Sequence, residues 1–166
     1  RARKIYRHRI GNYKEEDELI FEEKSDAFTA SISLSSDEKY YFISSSDHNT
    51  SEQYYFNVDE KIPKPKLIIK REKGILYSVS SWDNKFYNHT NKGAEDFKID
   101  VSESLEEQNW LPFVPAKDEV LVGGCVFLKN WIIRSETSNA LDKLFVKNIS
   151  SGLEEELTFT DEKVFV

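Results

Sequence analysis

The sequence predicts an all-β fold, a partial and open β-propeller of about three and a half four-stranded antiparallel blades. Three observations lead there. Aromatic and β-branched residues, including 8 Tyr, 11 Phe and 3 Trp, sit in short runs bounded by Asp, Asn, Gly, Ser and Pro, the signature of strands and turns. Within a run the apolar positions alternate, as at Phe28, Ala30, Ile32 and Leu34, which is the two-residue period of a strand with one buried face. The runs also recur. Phe28 to Ile75 is 47 residues, Ile75 to Glu119 is 44, and Tyr41, Phe86 and Trp131 are each 45 apart. Four strands per period of about 45 is the spacing of propeller blades.

Each element follows in order. Lys4 to Ile10 is a strand that ends at Gly11-Asn12, and Glu18 to Glu23 is its partner. A first full round reads Phe28 to Leu34, a turn at Ser35-Ser36-Asp37-Glu38, then Tyr40 to Ser44, Gln53 to Val58 and Lys66 to Lys70. The second round is Ile75 to Ser80, a turn at Asp83-Asn84, then Lys85 to His89, Asp96 to Val101 and Trp110 to Val114. The third is Glu119 to Phe127, a turn at Lys129-Asn130, then Trp131 to Arg134, Lys143 to Val146-Lys147 and Glu155 to Phe159. The opening pair is the outer half of an earlier blade. The division is a half blade at 1–25 and blades at 26–72, 73–116 and 117–166, within one domain spanning 1–166.

Strand chemistry within a round supports this reading. Innermost strands crowd near a propeller axis, and the first strand of each round carries small residues: Thr29, Ala30 and Ser31, then Ser78 and Ser80, then Gly123 and Gly124. Outer strands carry charge, at Glu22, Glu23, Lys66, Lys70, Glu155 and Glu156. A β-sandwich of a dozen strands would explain the alternation but not the recurrence.

Composition excludes several classes of function. No stretch of about 18 apolar residues exists to span a membrane as a helix. The basic start, Arg1 to Arg9, lacks the apolar core of a signal peptide. A formal net charge of −7 argues against sequence-independent nucleic-acid binding. The acidic runs Glu15 to Glu18 and Glu154 to Glu156 read as solvated turns or edges. Cys125 is the only cysteine, so no intrachain disulfide forms, which fits a reducing, cytoplasmic location. The N-x-Ser/Thr sequons at Asn49, Asn88 and Asn148 are what ten Asn give by chance. The chain has no Met and begins with Arg, so the expectation is a piece of a longer protein with material upstream.

Several segments carry a resemblance to a known family. They are Ile5-Tyr6-Arg7-His8-Arg9-Ile10-Gly11, Glu16 to Lys24, Ser44 to Glu52, Arg71 to Val79, Asp83 to Tyr87 and Thr90 to Lys98. In these the chain resembles the oligopeptidase B (protease II) branch of the prolyl oligopeptidase family of serine peptidases. The last third matches more loosely. The resemblance implies a seven-bladed propeller capping an α/β-hydrolase domain, excluding large folded substrates, in an enzyme cleaving short peptides after Arg or Lys. On that resemblance the chain is middle to late propeller, its partners are the hydrolase domain and short peptides, and the catalytic domain lies outside it.

The residues themselves offer no catalytic, cofactor-binding or metal-ligating set. The G-x-S-x-G elbow of an α/β-hydrolase does not occur, and Gly123-Gly124-Cys125 lacks its spacing, so no triad member is carried over. His8, His48 and His89 have no nucleophile implied by spacing. His48 beside Asp47 reads as a turn-stabilising pair, and Cys125 as a small core residue with no cation beside it to activate its thiol. No metal spacing or phosphate-cradling glycine loop is present, and no cofactor is expected. Two functions remain. One is the non-catalytic, size-gating segment of a serine oligopeptidase. The other is a free-standing propeller interaction module or remnant of a split peptidase gene. An open arc would also leave strand edges and apolar faces that favour self-association.

Overall fold

The computed structural model describes residues 2–158. Fourteen strands follow one another: β1 (Lys4–Arg7), β2 (Glu18–Glu22), β3 (Thr29–Leu34), β4 (Tyr40–Ser46), β5 (Ser51–Asn57), β6 (Lys66–Ile69), β7 (Tyr77–Trp82), β8 (Lys85–Thr90), β9 (Lys98–Ser102), β10 (Leu111–Val114), β11 (Leu121–Leu128), β12 (Trp131–Ser138), β13 (Leu141–Asn148) and β14 (Glu154–Leu157). A single 3₁₀ turn, Lys14–Glu16, interrupts the β1–β2 connection. The end of the expected strand at Phe159 lies outside the described residues.

The strands form one pair, β1-β2, and three meanders, β3-β4-β5-β6, β7-β8-β9-β10 and β11-β12-β13-β14. All pairings are antiparallel. This is the partial propeller that the sequence predicts. Short turns connect neighbouring strands, so every sheet is built from local contacts.

The first strand of each meander also touches the third strand of the sheet before it. Ala30 N–H donates to the Ala2 carbonyl beside β1, Ser51 N–H of β5 to the Ile75 carbonyl beside β7, and Val122 N–H to the Asp96 carbonyl beside β9. The same relation at β1/β3, β5/β7 and β9/β11 makes β1 and β2 the third and fourth strands of a blade.

Apolar residues fill the seams between the full sheets. Phe42, Tyr55 and Ile68 meet Tyr77, Val79 and Phe86 in one core. Tyr87, Ile99 and Val114 meet Val122, Phe127 and Ile132 in the next. Alternation explains how one strand serves two seams: Phe86 faces the first core and its neighbour Tyr87 the second.

Two turns show what the backbone demands. Asp83 and Asn84 both have positive φ, 50° and 58°, as a two-residue type I′ hairpin requires. Asn139 and Ala140 adopt the same geometry at 52° and 59°, but alanine carries a Cβ that disfavours it. Ala140→Gly is therefore expected to stabilise the chain by about 0.5–1 kcal/mol, less than the full relief because glycine also loosens the unfolded chain. A denaturation midpoint that moves upward at constant slope checks this. At Gly123 the constraint is space. A Cβ there would stand 2.1 Å from Ser135 Oγ and 3.1 Å from the Ser135 carbonyl, where the β11–β12 register slips between Val122 and Cys125.

Candidate functional site

β3, β7 and β11 are each the free edge of their sheet, the position nearest a propeller axis. Small residues are exposed on all three, Thr29, Ser31 and Ser33, then Ser78, then Gly124, beside the exposed apolar side chains of Ile32, Leu34, Leu121, Val126 and Leu128. Between the second and third meanders lies a cleft of about 170 Å³ lined by Ser78, Ser80, Tyr87, His89, Gly124 and Cys125. The β11 bulge makes its far wall, because the residues between Val122 and Cys125 leave the regular ladder.

The cleft gathers hydroxyls, an imidazole and a thiol. Burial pushes the Cys125 thiol up to about 11, and Arg134 opposite it in the ladder only partly offsets this. At neutral pH Cys125 is a thiol, not the thiolate that nucleophilic chemistry requires. His89 Nε2 donates to the Val122 carbonyl at 2.7 Å, and its ring stacks on Phe97 with centroids 4.6 Å apart. It pins the bulge across the seam. Ser78 pairs with His89 in the β7–β8 register, yet no hydrogen bond joins their side chains among the described residues. Its groups can hydrogen-bond, and no activated nucleophile stands there among the described residues.

The other two histidines lie elsewhere. His8 Nδ1 is 2.6 Å from Asp17 Oδ1 on an exposed edge. His48 is exposed. In the turn at Asp47 and His48, the carboxylate caps the backbone. Asp47 Oδ1 accepts from the N–H groups of Asn49 at 2.9 Å and Thr50 at 2.8 Å, and the Asn49 N–H is the main reason its carboxyl sits below the usual range. Among the described residues, no group of three or more His, Cys, Asp or Glu side chains is placed to hold a metal ion. No helix there is long and apolar enough to cross a membrane. Asn88, one of the sequons, is buried.

Three charged constellations escape sequence reasoning because their members are far apart in the chain. Glu95 and Asp96 from the β8–β9 connection meet Asp118 and Glu119 from the β10–β11 connection around a groove of about 470 Å³. Glu23, expected as a solvated outer-strand charge, is instead buried with Ser45, Glu52 and Arg71. Carboxylates are almost never buried without such partners. Glu154, expected as solvated, holds Arg134 with both oxygens at 3.1 and 2.7 Å.

Successive four-stranded antiparallel meanders with apolar seams define this chain as a segment of a β-propeller. It belongs to the family described as prolyl oligopeptidase, N-terminal β-propeller domain, which it matches over residues 1–165. Protease 2 of Moraxella lacunata is 37% identical over 132 residues, 72% of this chain and 19% of that protein. Dipeptidyl aminopeptidase BI of Pseudoxanthomonas mexicana is 26% identical over 151 residues, 87% of this chain and 20% of that protein. Among solved structures, oligopeptidase B from Trypanosoma brucei with covalently bound antipain, in its closed form, aligns with a TM-score of 0.87 at 22% identity, covering 96% of this chain and 24% of that one. Oligopeptidase B from Leishmania major aligns at 0.83 and 18% identity, covering 96% and 24%. The chain thus spans about a fifth of the curated relatives it matches.

Proposed function

We propose that this chain is the non-catalytic propeller segment of a serine oligopeptidase that cleaves short peptides after basic residues. Its role is steric: it admits flexible peptides to an α/β-hydrolase domain and rejects folded chains. The observation that carries this reading is the row of free-edge strands lined by Ser31, Ser33, Ser78 and Gly124, with the nearby Cys125 and His89 held in unreactive states. Small polar side chains leave a peptide room and offer it hydrogen bonds without arresting it. The 37% identity to Protease 2 supports the peptidase assignment, and the preference for basic residues rests on the resemblance to the oligopeptidase B branch. Cytoplasmic location belongs to the same reading.

The test separates steric from chemical roles. The purified chain, given Arg- and Lys-containing dipeptide reporters, is expected to release product no faster than buffer. Reporter cleavage at enzyme-like rates, abolished by a serine-directed inhibitor, would refute the reading. A stoichiometric partner unrelated to peptidases, recovered with the chain, would favour a free-standing interaction module instead.

The isolated 166-residue chain is also expected to self-associate. On the last meander, Val126, Leu128, Trp131 and Leu157 are exposed on the face turned away from the core, with Val126 60% exposed. On the first, Ile32 and Leu34 are 42% and 46% exposed. These two faces resemble opened seams, and exposed apolar patches favour association. Light scattering should show a mass that rises with concentration. A monomer throughout, unaffected by Val126→Lys, would count against it.

A further inference from the structure

The first seam, between the β1-β2 pair and the β3–β6 sheet, is fastened by charge. Glu23, just past β2, is only 4% exposed, as is Glu52 at the start of β5. Arg71, just past β6, reaches both, with its Nη2 2.7 Å from Glu23 Oε2 and 3.2 Å from Glu52 Oε1. Its guanidinium also lies over the Phe28 ring at 4.2 Å, and its backbone N–H donates to Glu52 Oε2 at 2.8 Å. Ser45, fully buried, donates to Glu23, and Tyr54 donates to Glu52 at 2.6 Å. The Ser25 N–H supplies the other Glu23 oxygen at 2.7 Å. Every acceptor position that matters is filled, and one guanidinium serves two buried carboxylates. Among the described residues, one ring–ring contact crosses the seam, Phe21 on Tyr54, with centroids 4.8 Å apart.

We propose that this clasp is an acid-sensitive lock, and that protonating Glu23 frees β1 and β2 from the sheet behind them while the two later seams stay shut. The later seams are built on apolar clusters, which do not titrate; the seam between the first two full sheets adds Ser81 Oγ on Asp37 and the exposed pair Lys66–Glu106. The other buried charge cluster, Arg134 with Glu136 and Glu154, lies within a single sheet and spans no seam. The groups facing Glu23 favour its charged form on balance. Arg71 favours its charged form; Glu52 opposes it but is itself bound to Arg71 and Tyr54. Tyr54 is pushed far up by burial and stays neutral. On the outer side, Lys4, Glu22 and Lys24 pair among themselves, as do Arg3 and Asp26, and His48 with Asp47 stands on the adjoining turn.

The sign follows. Burial alone would raise the Glu23 pKa, but hydrogen bonds from Ser45, Ser25 and Arg71 outweigh it and hold it below the usual carboxylate range. A group depressed in the folded state stabilises above its unfolded pKa, and that contribution is lost as pH falls through the folded value. Protonated Glu23 would leave Arg71 with one carboxylate and put a proton where Ser45 and Ser25 now donate.

Hydrogen–deuterium exchange on the purified chain, corrected for intrinsic rates, tests this. On lowering pH from 7 to 4, amides of β1 and β2 should lose about two- to fourfold in protection, the most that one glutamate can supply there, while those of β8, β9, β12 and β13 hold. Glu23→Gln should bring that loss to pH 7 and flatten the response, and Lys66→Ala, breaking an exposed pair with Glu106, should do neither. If Glu23→Gln does not fold, the wild-type titration decides alone: loss confined to residues 2–28 supports the lock. Equal loss in all sheets, or parallel pH responses in wild type and Glu23→Gln, overturns it.

Discussion

Replacing Arg134 with Met is expected to destabilise the chain by about 3 kcal/mol at pH 7, the lower end of the range for breaking a buried ion pair. Arg134 sits on β12 with its side chain 5% exposed. Its Nε and Nη2 engage Glu154, its Nη1 engages Glu136, and its plane lies over Phe145 at 4.2 Å. Met keeps the bulk and loses every donor. Glu136, nearly as buried as Arg134, would keep only Lys117, while Glu154 is partly exposed and can recruit water. That asymmetry places the cost near the lower end.

The pH dependence gives the prediction a second edge. Arg134 donation is the largest influence on Glu154 and holds its carboxyl low. For Glu136, burial pushes upward, but Lys117 and Arg134 together override it. Both contributions are present above the unfolded pKa, about 4.3 for glutamate, and vanish as pH falls through the folded values. The gap between Arg134→Met and wild type should therefore be widest near neutrality and narrow below about pH 4. Urea titrations at pH 7 and pH 3.5 check both limits. A deficit under 1 kcal/mol at pH 7, or one that grows on acidification, would show that the cluster contributes little.

The strand plan was legible because it is written in local, repeated signals. Alternation at Phe28, Ala30, Ile32 and Leu34 yields β3, and the Asp83-Asn84 dipeptide yields the β7–β8 turn, since both side chains tolerate positive φ. The third round extends beyond its expected bounds. Its second strand runs on to Ser138 and its third begins at Leu141, because Ser135 to Ser138 look like turn residues and Ala140 hides a type I′ turn. Tertiary pairing overrides those weak local preferences. The site was less legible. The row of small residues on β3, β7 and β11 could be read directly. The pairing of Glu23 with Arg71, 48 positions apart, could not, since an outer-strand glutamate looks the same whether solvated or clasped. His89 likewise gives no local hint of the Val122 carbonyl, which is free to receive it only because β11 bulges.

Tyr77→Phe should cost about 2–4 kcal/mol, although it removes a single oxygen from a largely apolar seam. The Tyr77 hydroxyl crosses from β7 into the neighbouring sheet, where the β5–β6 register slips between Gln53 and Tyr54. There it accepts the Gln53 N–H at 2.7 Å and the Ile69 N–H at 3.2 Å, and donates to the Ile69 carbonyl at 2.5 Å. It occupies the place of a missing ladder bond. Phe would leave two donors and an acceptor without partners, each costing about 1–3 kcal/mol if buried and dry, with relaxation recovering part. Ser51 and Gln53 also bind the β7 backbone, at Tyr77 and Val79. Loosening this bolt therefore disturbs the free-edge strand on which the proposed peptide path depends. Burial pushes the hydroxyl up to about 12, so it keeps its proton throughout the working range and the deficit should be flat from pH 5 to 9. That separates it from the Arg134 variant, whose deficit must vary. Tyr55→Phe is the control, because the Tyr55 hydroxyl makes no hydrogen bond within the chain among the described residues, and its change should stay within about 0.5 kcal/mol. If the Tyr77 variant proves equally mild, the seam is held by its apolar core alone and the hydroxyl is incidental.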